Sequence, residues 1–114
     1  MHELSLMQTL GERVLSVAAA EGAEKVVAIR LRIGTLAGVD PDALRFAAEV
    51  VLADTLAANA TLTIEEIPAT WWCAPCGADF TTPPDARACP RCGALSARLL
   101  RGQDLSLVSV ELVP

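Results

Sequence analysis

This 114-residue sequence has no tyrosine and only one histidine. The single histidine stands at position 2, so one chain offers neither a His-rich metal site nor a pair of His catalysts. The sequence also lacks a G-x-S-x-G nucleophile elbow and a P-loop. We therefore predict that the protein is not an enzyme.

Positive charge is also scarce. The chain has 9 basic and 14 acidic residues, which gives a formal net charge of -5. Its largest basic cluster is the pair Arg30 and Arg32. An acidic chain without a basic patch does not bind a phosphate backbone, so we expect no nucleic-acid partner.

Long apolar runs are missing, although 53% of the residues are hydrophobic. Charged residues such as Arg30 and Glu49 interrupt the apolar segments before any reaches the ~20 residues of a membrane helix. The N-terminus shows no basic region followed by an apolar one, as a signal peptide would. We expect no membrane partner and a cytoplasmic location, where clustered cysteines are metal ligands or redox catalysts before they are disulfides.

Hydrophobic periodicity predicts the order helix, strand, helix, strand, cysteine module, strand. The helices are expected at 3–21 and 41–54, and the strands at 25–34, 61–67 and 104–113. Asp40 and Pro41 are typical of an N-cap and a first helical residue. We predict an α+β fold, with a small three-stranded sheet and two helices on one face, plus an inserted four-cysteine module that is zinc-ribbon-like.

The periodicity also predicts which side chains face the core. In the last strand the alternation changes phase after Leu107, which suggests a β-bulge. The expected inward residues of the first helix and first strand are Leu4, Met7, Leu10, Val14 and Val17, and Val27, Ile29, Leu31 and Ile33.

Residues 69–100 differ from the rest of the chain. They hold all four cysteines, both tryptophans and four of the seven prolines. We predict that 69–100 is a separate cysteine-containing module inserted into a discontinuous α+β domain formed by 1–68 and 101–114.

The cysteines form two Cys-x-x-Cys motifs, each followed by glycine. Such a motif places two thiolates on one side of a tight turn, and glycine permits the positive φ that lets backbone N–H groups approach sulfur. Two facing motifs supply the four soft ligands of a tetrahedral Zn²⁺ site, and four protein ligands leave no open position for catalysis. We predict structural zinc at Cys73, Cys76, Cys89 and Cys92.

Other interpretations of the module remain open. A rubredoxin-like iron site uses the same four ligands. A thioredoxin-type redox pair fits less well, because such proteins have one Cys-x-x-Cys motif at the start of a helix, whereas this sequence has two in predicted loops. Trp71 and Trp72 either cover the metal module or form an exposed protein-contact surface.

The first three residues, Met1-His2-Glu3, can form a chelate. A free terminal amine, the His2 amide and the His2 imidazole can bind one metal in adjoining rings, and Glu3 can supply a fourth donor. Such a nitrogen-rich set suits Ni(II) or Cu(II) better than zinc. The alternative is a solvated helix start, with Glu3 near the positive end of the helix dipole.

Together these features resemble the HypA/HybF family of hydrogenase nickel-incorporation proteins. The resemblance starts at Met-His-Glu-Leu-Ser-Leu. It is specific because this start occurs together with both Cys-x-x-Cys motifs and with this order of helices and strands. It covers nearly the whole chain, through 32–34, 36–39, 41–46, 64–69 and 102–111.

The resemblance implies a nickel metallochaperone that passes Ni(II) to the [NiFe]-hydrogenase large-subunit precursor together with the GTPase HypB. Urease maturation proteins are implied as further partners, and a monomer or weak homodimer as the assembly. Nickel is assigned to Met1, His2 and Glu3, with Asp40 as a further oxygen donor or simply an N-cap. Zn²⁺ is assigned to the four cysteines. The competing hypothesis is a zinc-ribbon adaptor that binds only proteins and transfers no nickel.

Overall fold

A computed structural model describes residues 2–114, which form two helices and six strands. In chain order these are α1 (His2–Ala20), β1 (Lys25–Gly34), α2 (Pro41–Val51), β2 (Thr61–Ile67), β3 (Ala69–Cys73), β4 (Ala78–Thr82), β5 (Leu99–Arg101) and β6 (Leu105–Val113). The strands form two three-stranded sheets, and the chain divides into two compact units.

The first unit takes in the described residues up to Leu31, together with Val39–Glu65 and Ser106–Pro114. It contains both helices and most of the sheet with strand order β2-β1-β6. The central strand supplies the most deeply buried strand residues, because it has a neighbour on each side. The buried apolar side chains of this unit are Met7, Leu10, Val14, Ala18, Val26, Ile29, Leu31, Leu44, Ala47, Ala48, Leu52 and Ala57.

The two helices run side by side with their N-termini at the same end. Glu3 in the first turn of α1 contacts Asp40, the N-cap of α2. One end of α1 therefore meets the start of α2, and further along Gly11 lies against Val51. A Cβ on Gly11 would stand 3.0 Å from Val51 Cγ1, so the absence of a side chain at Gly11 permits this close approach.

Most predicted inward positions of α1 are buried, but Val17 is not. Its side chain is 42% exposed, and Ala18 is buried in its place. After Val14 the helical period of 3.6 residues carries the buried stripe to position 18 rather than 17. In β1, Ile29, Leu31 and Ile33 are buried as predicted, whereas Val27 is only half-buried and Val26 is fully buried.

The second helix ends at Val51, three residues before its predicted end. Asp54 has a positive φ of 61°, which an α-helix does not accommodate. The Thr55 hydroxyl donates to the Leu52 carbonyl at 2.7 Å and so satisfies a group at the helix end. The predicted N-cap is confirmed, since Asp40 Oδ1 accepts from the backbone N–H of Asp42 at 3.0 Å.

The burial of β6 follows the predicted change of phase. Leu105 and Leu107 are half-buried, two exposed residues follow, and then Val110 and Leu112 are half-buried. The bulge itself stays a prediction.

The second unit comprises Arg32–Gly38 and Glu66–Leu105. Its sheet has the order β4-β3-β5, and β3 pairs antiparallel with β4 from Ala69 opposite Thr82 to Cys73 opposite Ala78. Sequence periodicity did not predict these strands, because they are only three to five residues long and are separated by turns, including those of the Cys-x-x-Cys motifs. Their core is a buried cluster of Ala69, Trp71, Cys73, Phe80 and Cys89.

Two glycines allow close contact of backbones in the second unit. A Cβ on Gly34 would overlap both the carbonyl carbon and the oxygen of Gly102. Gly102 has a φ of +113°, and its own Cβ would meet Ala69 Cα at 2.7 Å. The backbones therefore cross closely at Gly34 and Gly102, and two hydrogen bonds stabilise this crossing. The Gly34 N–H donates to the Asp104 carbonyl at 2.7 Å, and the Leu36 N–H donates to the Gly102 carbonyl at 2.7 Å.

The predicted α+β class, with two helices, a three-stranded sheet and a four-cysteine module, is confirmed, and the module contains a second three-stranded sheet. The domain boundaries at 68/69 and 100/101 stay a prediction. Within residues 2–114, neither helix has the length and apolar character needed to cross a membrane.

Candidate functional site

The structure brings the four predicted cysteine ligands together. The Sγ atoms of Cys73, Cys76, Cys89 and Cys92 all lie within 4.8 Å of one another. Cys73 Sγ is 3.6 Å from Cys92 Sγ, and Cys76 Sγ is 3.9 Å from Cys89 Sγ. A tetrahedral zinc–thiolate site with bonds of ~2.3 Å requires sulfur–sulfur distances of about 3.8 Å. The distances of 3.6 and 3.9 Å fall on either side of that value, so the cluster fits a tetrahedral metal ion.

Each Cys-x-x-Cys motif forms a turn of a hairpin. Cys73 ends β3 and Ala78 begins β4, so the first motif is the turn between paired strands. The second motif is enclosed by the bridge between Ala88 and Leu95. In both turns the glycine N–H donates to the carbonyl of the first cysteine, at 2.9 Å from Gly77 and 2.8 Å from Gly93.

The predicted role of the two glycines is confirmed by their backbone. Gly77 has a φ of 62° and Gly93 a φ of 76°, conformations that side chains disfavour. These turns aim N–H groups at sulfur, as with the Cys76 N–H at Cys73 and the Cys92 and Arg91 N–H groups at Cys89. Donors aimed at sulfur favour the thiolate that a metal requires.

The thiols of Cys73, Cys76 and Cys89 have pKa values shifted in different directions. Backbone N–H groups of Cys92 and Arg91 lower the pKa of Cys89 to about 7. Hydrogen bonds with the Cys92 and Cys73 side chains, together with burial, raise the pKa of Cys76 to about 12. At Cys73 the Cys76 N–H lowers the pKa, but burial and contacts with Cys92 and Cys89 outweigh it and the pKa is raised. Without a metal, the cluster therefore holds protons at neutral pH.

Side chains that carry no sequence motif support the two turns. The Ser96 hydroxyl donates to the Trp72 carbonyl at 2.6 Å and accepts from the Arg98 N–H at 3.1 Å, which ties the chain after the second motif to β3. Trp71 is buried, and its Nε1 donates to the Thr82 hydroxyl at 3.0 Å. Sequence reasoning missed Ser96 and Thr82, since a serine or threonine in a loop gives no signal of its partner.

The two tryptophans have different environments. Trp71 belongs to the buried cluster with Cys73 and Cys89, so it covers the metal module. Trp72 is half-buried and lines an open groove of about 430 Å³ with Pro75 and Leu95.

The N-terminal residues predicted to bind nickel lie at the start of α1. His2 is the first residue of that helix and is exposed, while Glu3 is half-buried. Met1 lies outside the described residues. Glu3 Oε2 accepts from the Asp40 N–H at 3.3 Å, so the structure brings Glu3 and the fourth predicted residue together.

The Asp40 carboxylate is already engaged in the fold. Its Oδ1 accepts from the N–H of Asp42 at 3.0 Å and of Ala43 at 3.5 Å. Asp40 is therefore the N-cap of α2, and its role as a nickel ligand stays a prediction.

Comparison with known proteins gives a match over almost the whole chain. A family model described as HypA, "Hydrogenase/urease nickel incorporation, metallochaperone", matches residues 1–112. A protein of Synechococcus elongatus is 47% identical over 113 residues, covering 99% of this chain and 100% of that protein. A protein of Chloroflexus aggregans is 42% identical over 112 residues, covering 97% and 98%. Both are named hydrogenase maturation factor HypA.

Two solved structures share the fold. The solution structure of the Ni metallochaperone HypA from Helicobacter pylori aligns with a TM-score of 0.66 at 22% identity, covering 97% of each chain. A second solution structure, of a HypA protein, aligns with a TM-score of 0.71 at 23% identity, covering 99% of this chain and 97% of the other. From the full-length family match and the relatives at 42% and 47% identity, the chain belongs to the HypA family of hydrogenase maturation factors, which are metallochaperones and not enzymes.

Proposed function

We propose that this protein binds one Ni(II) at Met1, His2 and Glu3 and delivers it to the precursor of the [NiFe]-hydrogenase large subunit. The observation that carries the proposal is the exposed imidazole of His2, the only histidine, at the first position of α1 in a chain of a nickel-incorporation family. Zinc in the four-cysteine cluster is the structural metal of this proposal.

The start of a helix suits an amide-nitrogen ligand set. The first four N–H groups of an α-helix have no carbonyl partner within the helix. Because α1 begins at His2, the amides of His2 and Glu3 can bind a metal without loss of a helical hydrogen bond. The same chelate in the middle of a helix would break the hydrogen bonds that those amides donate to carbonyls of the preceding turn.

The surrounding charges favour a cation that is held and then released. The N-termini of α1 and α2 meet at Glu3 and Asp40, and the positive end of each helix dipole repels a cation. The carboxylates of Glu3 and Asp42 in the two first turns, and of Asp40 at the cap, offset that repulsion. Opposed contributions of this kind support modest affinity, which a carrier needs in order to transfer its ion.

Nickel titration of the zinc-loaded chain tests the chelate. We expect one Ni(II) per wild-type chain, and a loss of affinity of at least about tenfold in His2→Ala and in a chain extended by one residue at the N-terminus. A matched control moves the imidazole by one turn, as His2→Ala with Ser5→His, since Ser5 is also exposed on α1. The control must not restore binding, and unchanged affinity in His2→Ala would favour the protein adaptor without nickel transfer.

The identity of the cluster metal needs its own measurement. Soft thiolates in a tetrahedron suit zinc, and the sulfur spacing agrees with it. Four thiolates and one Zn²⁺ contribute about -2, so the formal charge of -5 becomes about -7, which suits a cation carrier. We expect metal analysis of the purified chain to give one zinc that persists in His2→Ala, while iron in its place would contradict this assignment.

We further propose HypB, a GTPase, as the partner in delivery, with both proteins acting in the cytoplasm. The family description names urease as well as hydrogenase, and on that basis we include urease maturation proteins as partners. A transfer assay with nickel-loaded wild type and His2→Ala, with each recipient in turn, separates the hydrogenase precursor from the urease proteins. Binding of a recipient without nickel transfer would leave the chain an adaptor.

A further inference from the structure

One face of α2 leaves two large apolar side chains in solvent. Phe46 is 66% exposed and Val50 is 56% exposed, more than any other large apolar side chain among the described residues of the first unit. They lie four residues apart, so they are neighbours on the surface of the helix. The buried residues of α2, which face the core instead, are Leu44, Ala47 and Ala48. Phe46 and Val50 together form the α2 ridge.

A small hollow lies beside α2, between the helix and the segment that leads into β2. Its volume is about 230 Å³, and four of its lining residues are the alanines Ala48, Ala57, Ala58 and Ala60. Glu49, which precedes a ridge residue, also lines the hollow. Sites for small molecules usually have volumes of ~300–1,000 Å³. The hollow is smaller, so it fits a single side chain of a protein partner better than a separate ligand.

The rim of the α2 ridge is acidic. Its exposed carboxylates are those of Asp42, Glu49 and Asp54. The first two lie within one helical turn of the ridge, and the third follows the end of the helix. The one basic residue of α2, Arg45, donates through Nη1 to the Leu62 carbonyl of β2 at 2.8 Å. The rim therefore complements a partner that carries Lys or Arg beside its apolar residues.

The acidic rim also decides among the possible occupants. A second copy of this chain would bring the same three carboxylates against each other, and an anionic lipid surface would be repelled as well. The chain has no further segment to cover the ridge, since the structure describes every residue except Met1. The shape favours a helix, because side chains one turn apart form a ridge that packs between the rows of side chains on a second helix.

We propose that the α2 ridge docks a basic amphipathic helix of a partner protein. The apolar stripe of that helix covers Phe46 and Val50, one of its apolar side chains enters the hollow, and its flanking Lys or Arg residues face Asp42 and Glu49. This mode of recognition uses apolar anchors spaced by three and four residues. None of these residues is a proposed ligand of nickel or zinc, so the inference does not rest on the proposed function.

A synthetic peptide tests the docking on the zinc-loaded full chain without nickel. The peptide has about 18 residues, enough to form a helix, with leucine spaced by three and four residues and lysine elsewhere. A matched peptide has glutamate in place of lysine. Fluorescence anisotropy of labelled peptide measures binding, and we expect a dissociation constant of about 100 μM or lower for the lysine peptide. The glutamate peptide is expected to bind at least about tenfold more weakly. Equal affinity of the two peptides, or no binding of either, overturns the proposal.

Val50→Ser and Val108→Ser make the same change at two exposed valines. Val50 belongs to the α2 ridge, whereas Val108 lies on β6, at the sheet edge opposite β2. We expect the dissociation constant of the lysine peptide to rise at least about fivefold in Val50→Ser and at least about tenfold in Phe46→Ser. Val108→Ser is expected to leave it within about twofold. Ridge variants that bind the peptide as tightly as Val108→Ser does would contradict the proposed site.

Glu49→Gln and Glu111→Gln form a matched pair for the charge, since both glutamates are exposed and Glu111 lies on β6. We expect Glu49→Gln to slow association of the lysine peptide and to weaken its salt dependence, and Glu111→Gln to change neither. Identical effects of the two substitutions would remove the acidic rim from the argument.

Amide chemical shifts of the isotope-labelled wild type locate the peptide without any variant. We expect changes in α2 and in 57–62, and changes confined to other segments overturn the proposal. So does a ridge that instead binds a second copy or phosphatidylglycerol vesicles, with loss of that binding in Phe46→Ser. Peptide binding does not involve nickel, so its failure and a failure of nickel binding in the wild type are distinguishable.

Discussion

The side chain of Glu3 joins the starts of the two helices, because its Oε2 accepts a hydrogen bond from the Asp40 N–H at 3.3 Å. The bond spans 37 residues of sequence and stands next to the proposed nickel chelate. A change at Glu3 therefore alters both the fold of the first unit and the surroundings of His2.

Glu3→Gln and Glu3→Ala separate the hydrogen bond from the charge. Glu3→Gln keeps an acceptor for the Asp40 N–H, and we expect little loss of stability. Glu3→Ala removes the acceptor, and we expect a loss of about 0.5–1 kcal/mol in unfolding free energy, since the bond is partly exposed. Denaturant unfolding followed by far-ultraviolet circular dichroism measures both. Equal stability of the two variants would show that the bond does not contribute in solution.

The cap role of Asp40 gives a second prediction. Asp40→Ala removes the acceptor for the N–H groups of Asp42 and Ala43, and we expect a cost of about 1 kcal/mol. Asp40→Asn retains a good N-cap and is expected to cost much less. If nickel affinity, measured by titration, falls in Asp40→Asn while stability is kept, the Asp40 carboxylate contributes to nickel binding, by its charge or as a ligand, as well as to the cap.

The crossing of Gly34 and Gly102 gives a third prediction. Gly34→Ala places a methyl group on backbone atoms of Gly102, so the backbone must move. We expect a loss of more than about 3 kcal/mol, at the severe end for single substitutions. The control is Gly38→Ala, which has a φ of +73° and open space around it. There only the backbone conformation is penalised, by about 1–2 kcal/mol. Thermal unfolding measures both, and equal losses would contradict the crossing.

The pKa pattern of the cysteines predicts how zinc affinity depends on pH. Zinc binds thiolates, whereas Cys73 and Cys76 have raised pKa values and are protonated in the metal-free chain at neutral pH. Binding must release at least about two protons above pH 7, so the apparent affinity rises with pH. Below a pH of about 7, Cys89 is also protonated, and the dependence becomes steeper.

Calorimetric zinc titrations in buffers of different ionisation enthalpy count the released protons. Cys73, Cys76 and Cys89 contribute titrating groups, and His2→Ala serves as the control because it removes the only imidazole. Proton release that stays constant from acidic to neutral pH would contradict the low pKa of Cys89.

Local sequence signals predicted much of this structure. The order of helices and strands outside the module, the N-cap at Asp40 and the four-cysteine cluster follow from periodicity, capping chemistry and motif spacing. The helices, strands and N-cap depend on residues within a few positions of one another, and the cluster depends on two short motifs that occur in succession. The contact of Glu3 with Asp40 joins distant segments, and neither residue type identifies the other.

Short strands and backbone crossings were beyond sequence reasoning for a physical reason. Strands of three to five residues show too few alternations to establish a period. In β3 the two tryptophans are adjacent, so apolar and polar residues do not alternate there. The need for glycine at Gly34 arises from Gly102, far along the chain. The sequence shows two ordinary glycines, and only the fold shows that a methyl group at Gly34 would meet a backbone.

Both tryptophans lie in β3, beside the first cysteine turn, and the chain has no tyrosine. Indole fluorescence therefore reports the second unit alone, and the first unit is optically silent apart from Phe46. We expect emission intensity to change when the cluster loses or regains a metal, because Trp71 belongs to the buried cluster with Cys73 and Cys89. The protein thus carries an intrinsic optical probe of its cysteine module, which requires no added label and leaves all four thiols unmodified.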